Sequence, residues 1–260
     1  MKKIFITSIL FTAISVLDGC VGNTGSTGNA TADVRSKEIY EWRIYSLNDD
    51  GNALDDFFKT TLIPAYNRKG VSVGAFTSYK EEEVKLRYLL FVYRDIASFH
   101  KIKKEIWQDT VFGKAAQPFF DATAPNPVYS NFETFLCEAF DKIPQMRIPD
   151  KSRTLFELRT YHSPNEEANQ RKIKMFNVDE IDIFDKTGIN SVCYGEVLAG
   201  SRMPALIYLT WYKDETTRNE AWSAFVGHQD WARIKDMPEY AYTATNNRSK
   251  LLSPLPYSQF

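Results

Sequence analysis

The chain reads as an α+β fold in which one module is written twice, and two observations predict it. The first is a repeat. Ile39-Tyr40-Glu41-Trp42-Arg43-Ile44-Tyr45 returns as Leu155-Phe156-Glu157-Leu158-Arg159-Thr160-Tyr161, which moves Arg43 to Arg159, 116 residues on. Tyr66 to Val71 returns as Phe184 to Ile189, with Gly70 and Gly188 118 residues apart, and Leu90 to Asp95 returns as Leu209 to Asp214, with the aspartates 119 apart. Three segments in one order with offsets this similar point to duplication. The second observation is the pattern inside each copy, which alternates between a period of two and a period near 3.6 in the same sequence of elements.

Each copy opens on a strand, at 39–46 and 153–162, in which apolar and polar residues alternate. A helix follows. Leu54, Phe57, Phe58, Leu62 and Tyr66 recur at helical spacing in the first copy, and Ile173, Phe176, Ile181 and Phe184 in the second. Gly70 and Gly188 suit the C-terminal caps of these helices. Two strands joined by a polar turn come next, at 71–79 with 85–93 and at 189–198 with 204–212. Asp95 and Asp214 then stand where an N-cap accepts free N–H groups, ahead of Phe99, Ile102 and Ile106 or of Ala221, Trp222 and Phe225. The closing strands are expected at Val128 to Cys137 and Tyr240 to Leu252, and the stretch Thr110 to Asn126 reads as a long loop suited to a lid or contact.

The order β-α-β-β-α-β is the ferredoxin-like arrangement, with helices on one face of an antiparallel sheet. Two such modules in one chain can pack sheet to sheet and bury their open faces as a pseudo-dimeric α/β barrel. The expected organisation is a signal peptide at 1–19, a tether at 20–37, the first module at 38–140, a linker at 141–152 holding Pro144 and Pro149, and the second module at 153–260.

The leader rests on Met1-Lys2-Lys3, an apolar run from Ile4 to Val16, and Leu17-Asp18-Gly19-Cys20. That run is shorter than the roughly 20 residues of a spanning helix. Leu17-Asp18-Gly19-Cys20 resembles the bacterial lipobox, departing from it at Asp18, and the resemblance implies a lipid on Cys20 and a membrane-anchored protein on the periplasmic or outer-surface side. Val21 to Asp33 is rich in Gly, Asn, Thr, Ser and Ala, too poor in large apolar side chains to order itself.

Loss of Lys2, Lys3 and Asp18 with the leader takes Lys+Arg from 32 to 30 and Asp+Glu from 33 to 32, a net charge of −2. That balance argues against nucleic acid as a partner, since nucleic acid selects clustered Lys and Arg. Beyond Cys20 only Cys137 and Cys193 remain, both in apolar runs, and their pairing is open. His100, His162 and His228 stand alone, without the spacing that places two metal ligands on one helix, so no metal is expected. No Gly-x-Gly-x-x-Gly, phosphate-binding loop, Gly-x-Ser-x-Gly or Cys-x-x-Cys occurs, and no cofactor is assigned.

Strand alternation puts Glu41, Arg43 and Tyr45 on one face and Tyr40, Trp42 and Ile44 on the other, and likewise Glu157, Arg159 and Tyr161 opposite Phe156, Leu158 and Thr160. With the more apolar set expected against the helices, the Glu-x-Arg-x-Tyr stripes would point into the space between the sheets. There they would either line a ligand chamber, with arginines forking onto a carboxylate or enolate, or neutralise one another. Arg218, Trp222 and His228 are secondary candidates, the first two one helical turn apart and able to stack.

Phe156-Glu157-Leu158-Arg159-Thr160-Tyr161, the glycine-ended helix, Leu209-Thr210-Trp211-Tyr212, Arg218-x-x-x-Trp222 and His228-Gln229-Asp230-Trp231 resemble the NIPSNAP family. The resemblance covers nearly all of the second copy and is weaker in the first, which has Phe99 and Lys103 near the places of Arg218 and Trp222. It implies a dimeric α/β barrel fold of unestablished activity, binding a small organic ligand or a partner in or near the barrel. The alternative it implies is a cofactor-independent oxygenase or isomerase; further homo-oligomerisation is compatible with it.

Overall fold

The structure, a computed structural model, describes residues 36–260. The proposed leader, Cys20 and most of the tether lie outside the described residues.

Strand β1 (Ile39–Leu47) leads to helix α1 (Asn52–Phe57), which passes through a π-helical turn (Phe58–Leu62) into α2 (Ile63–Asn67). The hairpin β2 (Ser72–Ser78) and β3 (Leu86–Tyr93) follows, then α3 (Ile96–Gln108), α4 (Thr110–Thr123) and β4 (Tyr129–Ala139). The second half runs β5 (Leu155–His162), α5 (Glu166–Met175), a π-helical turn (Phe176–Glu180), α6 (Ile181–Thr187), β6 (Asn190–Ala199), β7 (Ala205–Tyr212), α7 (Glu215–Gly227), α8 (Gln229–Ile234) and β8 (Asn246–Pro254).

All eight strands close into one antiparallel barrel in the order β1-β3-β2-β8-β5-β7-β6-β4. Within each half the spatial order is fourth, first, third, second strand. The halves join at two seams, β2 with β8 and β4 with β6, so each second strand meets the other half's fourth. The expected sheet-to-sheet packing is therefore realised as edge-to-edge closure. Closure removes the free edges that separate sheets would expose.

The sequence signals act where expected. The side chain of Asp95 accepts from the Ser98 N–H and that of Asp214 from the Thr217 N–H, capping α3 and α7. Gly188 ends α6 at φ 82°, in the left-handed region open to glycine. Both π-turns fall at the same place in the repeat, Phe58 and Phe176 being 118 residues apart like the two glycines.

Three expectations are corrected. Thr110 to Asn126 is largely helix α4 rather than a loop: Asp109 accepts from the Val111 and Phe112 N–H groups at its start, and Phe112 and Ala116 are buried. Tyr240 belongs to a short 3-10 turn, and the last strand begins only at Asn246. The third correction concerns which face of β1 and β5 looks inward. Tyr40 and Trp42 join Phe156, Leu158, Leu90 and Leu252 in one core inside the barrel. Glu41, Arg43 and Tyr45, with Glu157, Arg159 and Tyr161, point outward beneath the helices, the reverse of what was expected. The physical reason is that a shared barrel interior leaves no helix to supply polar partners, whereas the outer face is covered by helices that do.

Candidate functional site

In the first half Arg43 reaches back along β1 to Glu41. Its Nε donates to Oε1 at 2.8 Å and its Nη2 to Oε2 at 3.2 Å, while Nη2 also donates to the Tyr66 hydroxyl at 2.9 Å. Glu41 further accepts from the Tyr93 hydroxyl at 2.7 Å and the Lys103 ammonium at 3.0 Å. Burial alone would push the Glu41 carboxyl up, but Arg43 and Lys103 outweigh it and hold its pKa at about 2. The guanidinium stacks 4.2 Å from the centre of the Phe91 ring.

That leaves Nη1 of Arg43 with no carboxylate partner among the described residues. A cavity of about 150 Å³ adjoins Arg43 and is also lined by Tyr45, Tyr66, Lys103 and Trp107. Its far walls are aromatic: Phe112 and Phe120 from α4, and Tyr129 and Phe132 from β4. Stacking of Phe57 on Phe119, with ring centres 4.2 Å apart, ties α4 to α1 and fixes that wall. Burial pushes the Tyr45 phenol up to about 12, Arg43 only partly offsetting it, so it remains a neutral donor at physiological pH.

The second half builds a denser version. Glu157 is fully buried and accepts from Arg159 Nη1 at 2.7 Å, from Arg218 Nε and Nη2 at 2.9 and 2.8 Å, from Trp222 Nε1 at 2.8 Å and from the Ser249 hydroxyl. Its carboxyl lies below the ordinary range, because Arg218, Arg159 and Ser249 together outweigh burial. Arg159 also donates to the Tyr161 hydroxyl at 3.2 Å, and Tyr161 shares a hydrogen bond with Tyr208 at 2.9 Å. The Trp222 ring occupies the place that Lys103 takes in the first half, the two being 119 residues apart. Lys103 reaches its glutamate while leaving room for the cavity; Trp222 covers Arg159.

Thus the structure brings Glu41, Arg43 and Tyr45 together with Lys103, and Glu157, Arg159 and Tyr161 together with Arg218 and Trp222. It does not bring the two stripes to one another. His228 stands apart as an N-cap, its Nδ1 accepting from the Asp230 N–H at 3.2 Å. Cys137 and Cys193 are both buried free thiols inside the barrel.

Sequence reasoning missed Lys172 and Glu180, which form a buried ion pair at 2.7 Å. The Lys172 ammonium lies 4.8 Å from the Phe176 ring centre. Their positions in the first half are held by Leu54 and Leu62, each 118 residues earlier. A polar pair at helical spacing resembles a solvated face; only the comparison with the leucines of the other copy could have marked it. Among the described residues no group of three or more His, Cys, Asp or Glu could hold a metal ion.

Strand order and closure define the class: a mixed α+β protein whose eight antiparallel strands close into one barrel within a single chain. The NIPSNAP family model matches residues 156–259, which span most of the second half. Similar solved structures include a protein from Lactobacillus acidophilus provisionally assigned as a monooxygenase, at 10% identity and a TM-score of 0.56, covering 84% of this chain and 94% of that one. A second, from Fusobacterium nucleatum and likewise provisionally assigned as a monooxygenase, has 15% identity and a TM-score of 0.51, covering 85% and 93%. A NIPSNAP family protein of unknown function from Agrobacterium tumefaciens aligns over 42% of this chain and 96% of its own, at 16% identity and a TM-score of 0.38. At these identities the likeness to the first two speaks of fold alone. Among curated proteins none matches the chain.

Proposed function

We infer that this protein binds a small organic acid under the helices of its first half, in a pair of ferredoxin-like modules of which only one keeps an open site. The observation that carries this is Nη1 of Arg43, a guanidinium edge without a carboxylate partner among the described residues, beside an aromatic cavity of about 150 Å³. An apolar cavity of about that size accepts benzene, and a charged donor at its wall adds preference for an anion. Lys103 supplies a second cation, and Tyr45 and Tyr66 supply neutral donors. Isothermal titration with benzoate as probe tests the reading: saturable binding at one site, weakened about tenfold or more by Arg43→Lys, is expected. Absence of binding, or equal affinity in the variant, would count against it.

A second reading is favoured by the same two cations, because groups that hold a carboxylate also stabilise an enolate. A cofactor-independent oxygenase or isomerase would use them on a substrate that ionises in the cavity. Oxygen uptake with acetylacetone, an easily enolised probe, tests the oxygenase; no uptake counts against it and leaves binding or isomerisation.

The proposed setting is the periplasmic or outer surface, with a lipid on Cys20. Labelling with a clickable fatty acid in a host that processes lipoproteins should tag the wild type and not Cys20→Ala. An unlabelled wild type would refute the anchor.

A further inference from the structure

The barrel carries a second concavity that the helix-side site does not use. Side chains pointing inward along β8 change from Leu252 to Lys250 to Arg248, and those along β5 from Phe156 through Leu158 and Thr160 to His162, as the β5–β8 pairing within the second half requires. The interior is therefore apolar in its middle and cationic at one end. There it opens into a cavity of about 520 Å³. Its floor includes Ile44, Tyr88, Phe135 and Leu158, and its rim includes Arg202, Arg248 and Lys250. Eight-stranded barrels have interiors just wide enough to be filled by side chains or to hold one small ligand, and this volume falls within the range of ligand pockets.

The charges at the rim do not cancel. Lys250 pairs with Glu82, and Glu133 accepts from the Ser201 hydroxyl at 3.4 Å. Among the described residues Arg202 and Arg248 form no ion pair with any acid, and both are exposed at the opening. His162 between them feels their field: burial first, then Arg248 and Arg202, press its pKa below the ordinary value. A mouth with two uncommitted guanidiniums above an apolar floor is complementary to a molecule with one anionic end and one apolar body.

We propose that the mouth of the barrel is a second ligand site, taking an amphipathic monoanion of the fatty-acid class with its carboxylate between Arg202 and Arg248 and its chain on Leu158, Phe135 and Tyr88. The site is separate from the cavity beside Arg43, since the two lie on opposite faces of β1: Ile44 lines one and Arg43 the other.

Decanoate, kept below its micelle concentration, is the probe, and 1-decanol is its neutral match. Calorimetric titration of the whole protein at low salt should give saturable binding of one decanoate, at least tenfold tighter than decanol. Both arginines are exposed and outside any ion pair, so the variant Arg202→Gln/Arg248→Gln should fold with an unchanged Tm. It should lose tenfold or more in decanoate affinity and little in decanol affinity, while Arg43→Lys should bind decanoate as the wild type does. Higher ionic strength should weaken decanoate binding only. The proposal is overturned if decanoate does not bind, if decanol binds as tightly, if the double variant retains full affinity, or if Arg43→Lys abolishes the binding.

Discussion

The guanidinium of Arg159 lies 4.3 Å from the centre of the Trp222 ring, and both side chains donate to Glu157. The glutamate is thus the hub, and its donors are partly redundant. Glu157→Ala would strand Arg159 and Arg218 and should cost roughly 3–5 kcal/mol. Arg159→Ala leaves Glu157 with Arg218, Trp222 and Ser249, and should cost only about 1–3 kcal/mol. Urea unfolding of the two variants checks the order; a larger loss for Arg159→Ala would contradict it.

Glu41 gives a pH dependence of known sign. Its folded pKa of about 2 lies below its ordinary value of 4.5, so folding favours the ionised form. The stabilisation is fully present above the ordinary value and is lost as pH falls toward 2; the shift corresponds to on the order of 3 kcal/mol. Acid unfolding compared between wild type and Glu41→Gln should show a flatter profile below pH 4.5 in the variant. Parallel profiles would refute the assignment.

Lys172 and Glu180 occupy positions that the first half fills with Leu54 and Leu62. Lys172→Leu alone leaves a buried carboxylate and should lose roughly 3–5 kcal/mol, whereas Lys172→Leu with Glu180→Leu should be near neutral or stabilising. A double-mutant cycle measures the coupling. Additive losses would show that the pair is not a unit.

Gly195 lies where β6 crosses β4 at the seam. A Cβ built on it would come within 2.6 Å of the Cys137 Cβ and 3.3 Å of the Glu138 carbonyl. Gly195→Ala should therefore destabilise by about 1–3 kcal/mol through overpacking, read as a lower Tm. An unchanged Tm would mean that this seam has room for a methyl group.

The fold was legible because its signals are local and doubled. Asp95 and Asp214 cap helices, Gly188 ends one, and the strand alternation recurs with nearly constant offset. Helix α4 was not legible, since Gly113 and Pro118 mimic a loop and its buried residues are few. The composition of the site was legible too, but its direction was not. Alternation along Glu41 to Tyr45 says which residues share a face, and it cannot say which face meets the helices. Here Lys103, Arg218 and Trp222 decide, because they reach the glutamates from the helix layer. The cationic mouth was not legible, since Arg202 lies in the β6–β7 turn and Arg248 on β8, 46 residues apart in the sequence, and only the folded sheet brings both to one cavity.

The central claim is that Arg43 presents to an occupiable cavity a guanidinium nitrogen, Nη1, without a carboxylate partner among the described residues, and a crystal structure of the protein grown with benzoate tests it most directly. The account predicts density for the ring among Trp107, Phe120 and Phe132, with a carboxylate oxygen within hydrogen-bond distance of Arg43 Nη1 and Glu41 still bound to Nε. A cavity collapsed onto Trp107, or benzoate bound elsewhere with Arg43 Nη1 satisfied by a protein carboxylate, would contradict it.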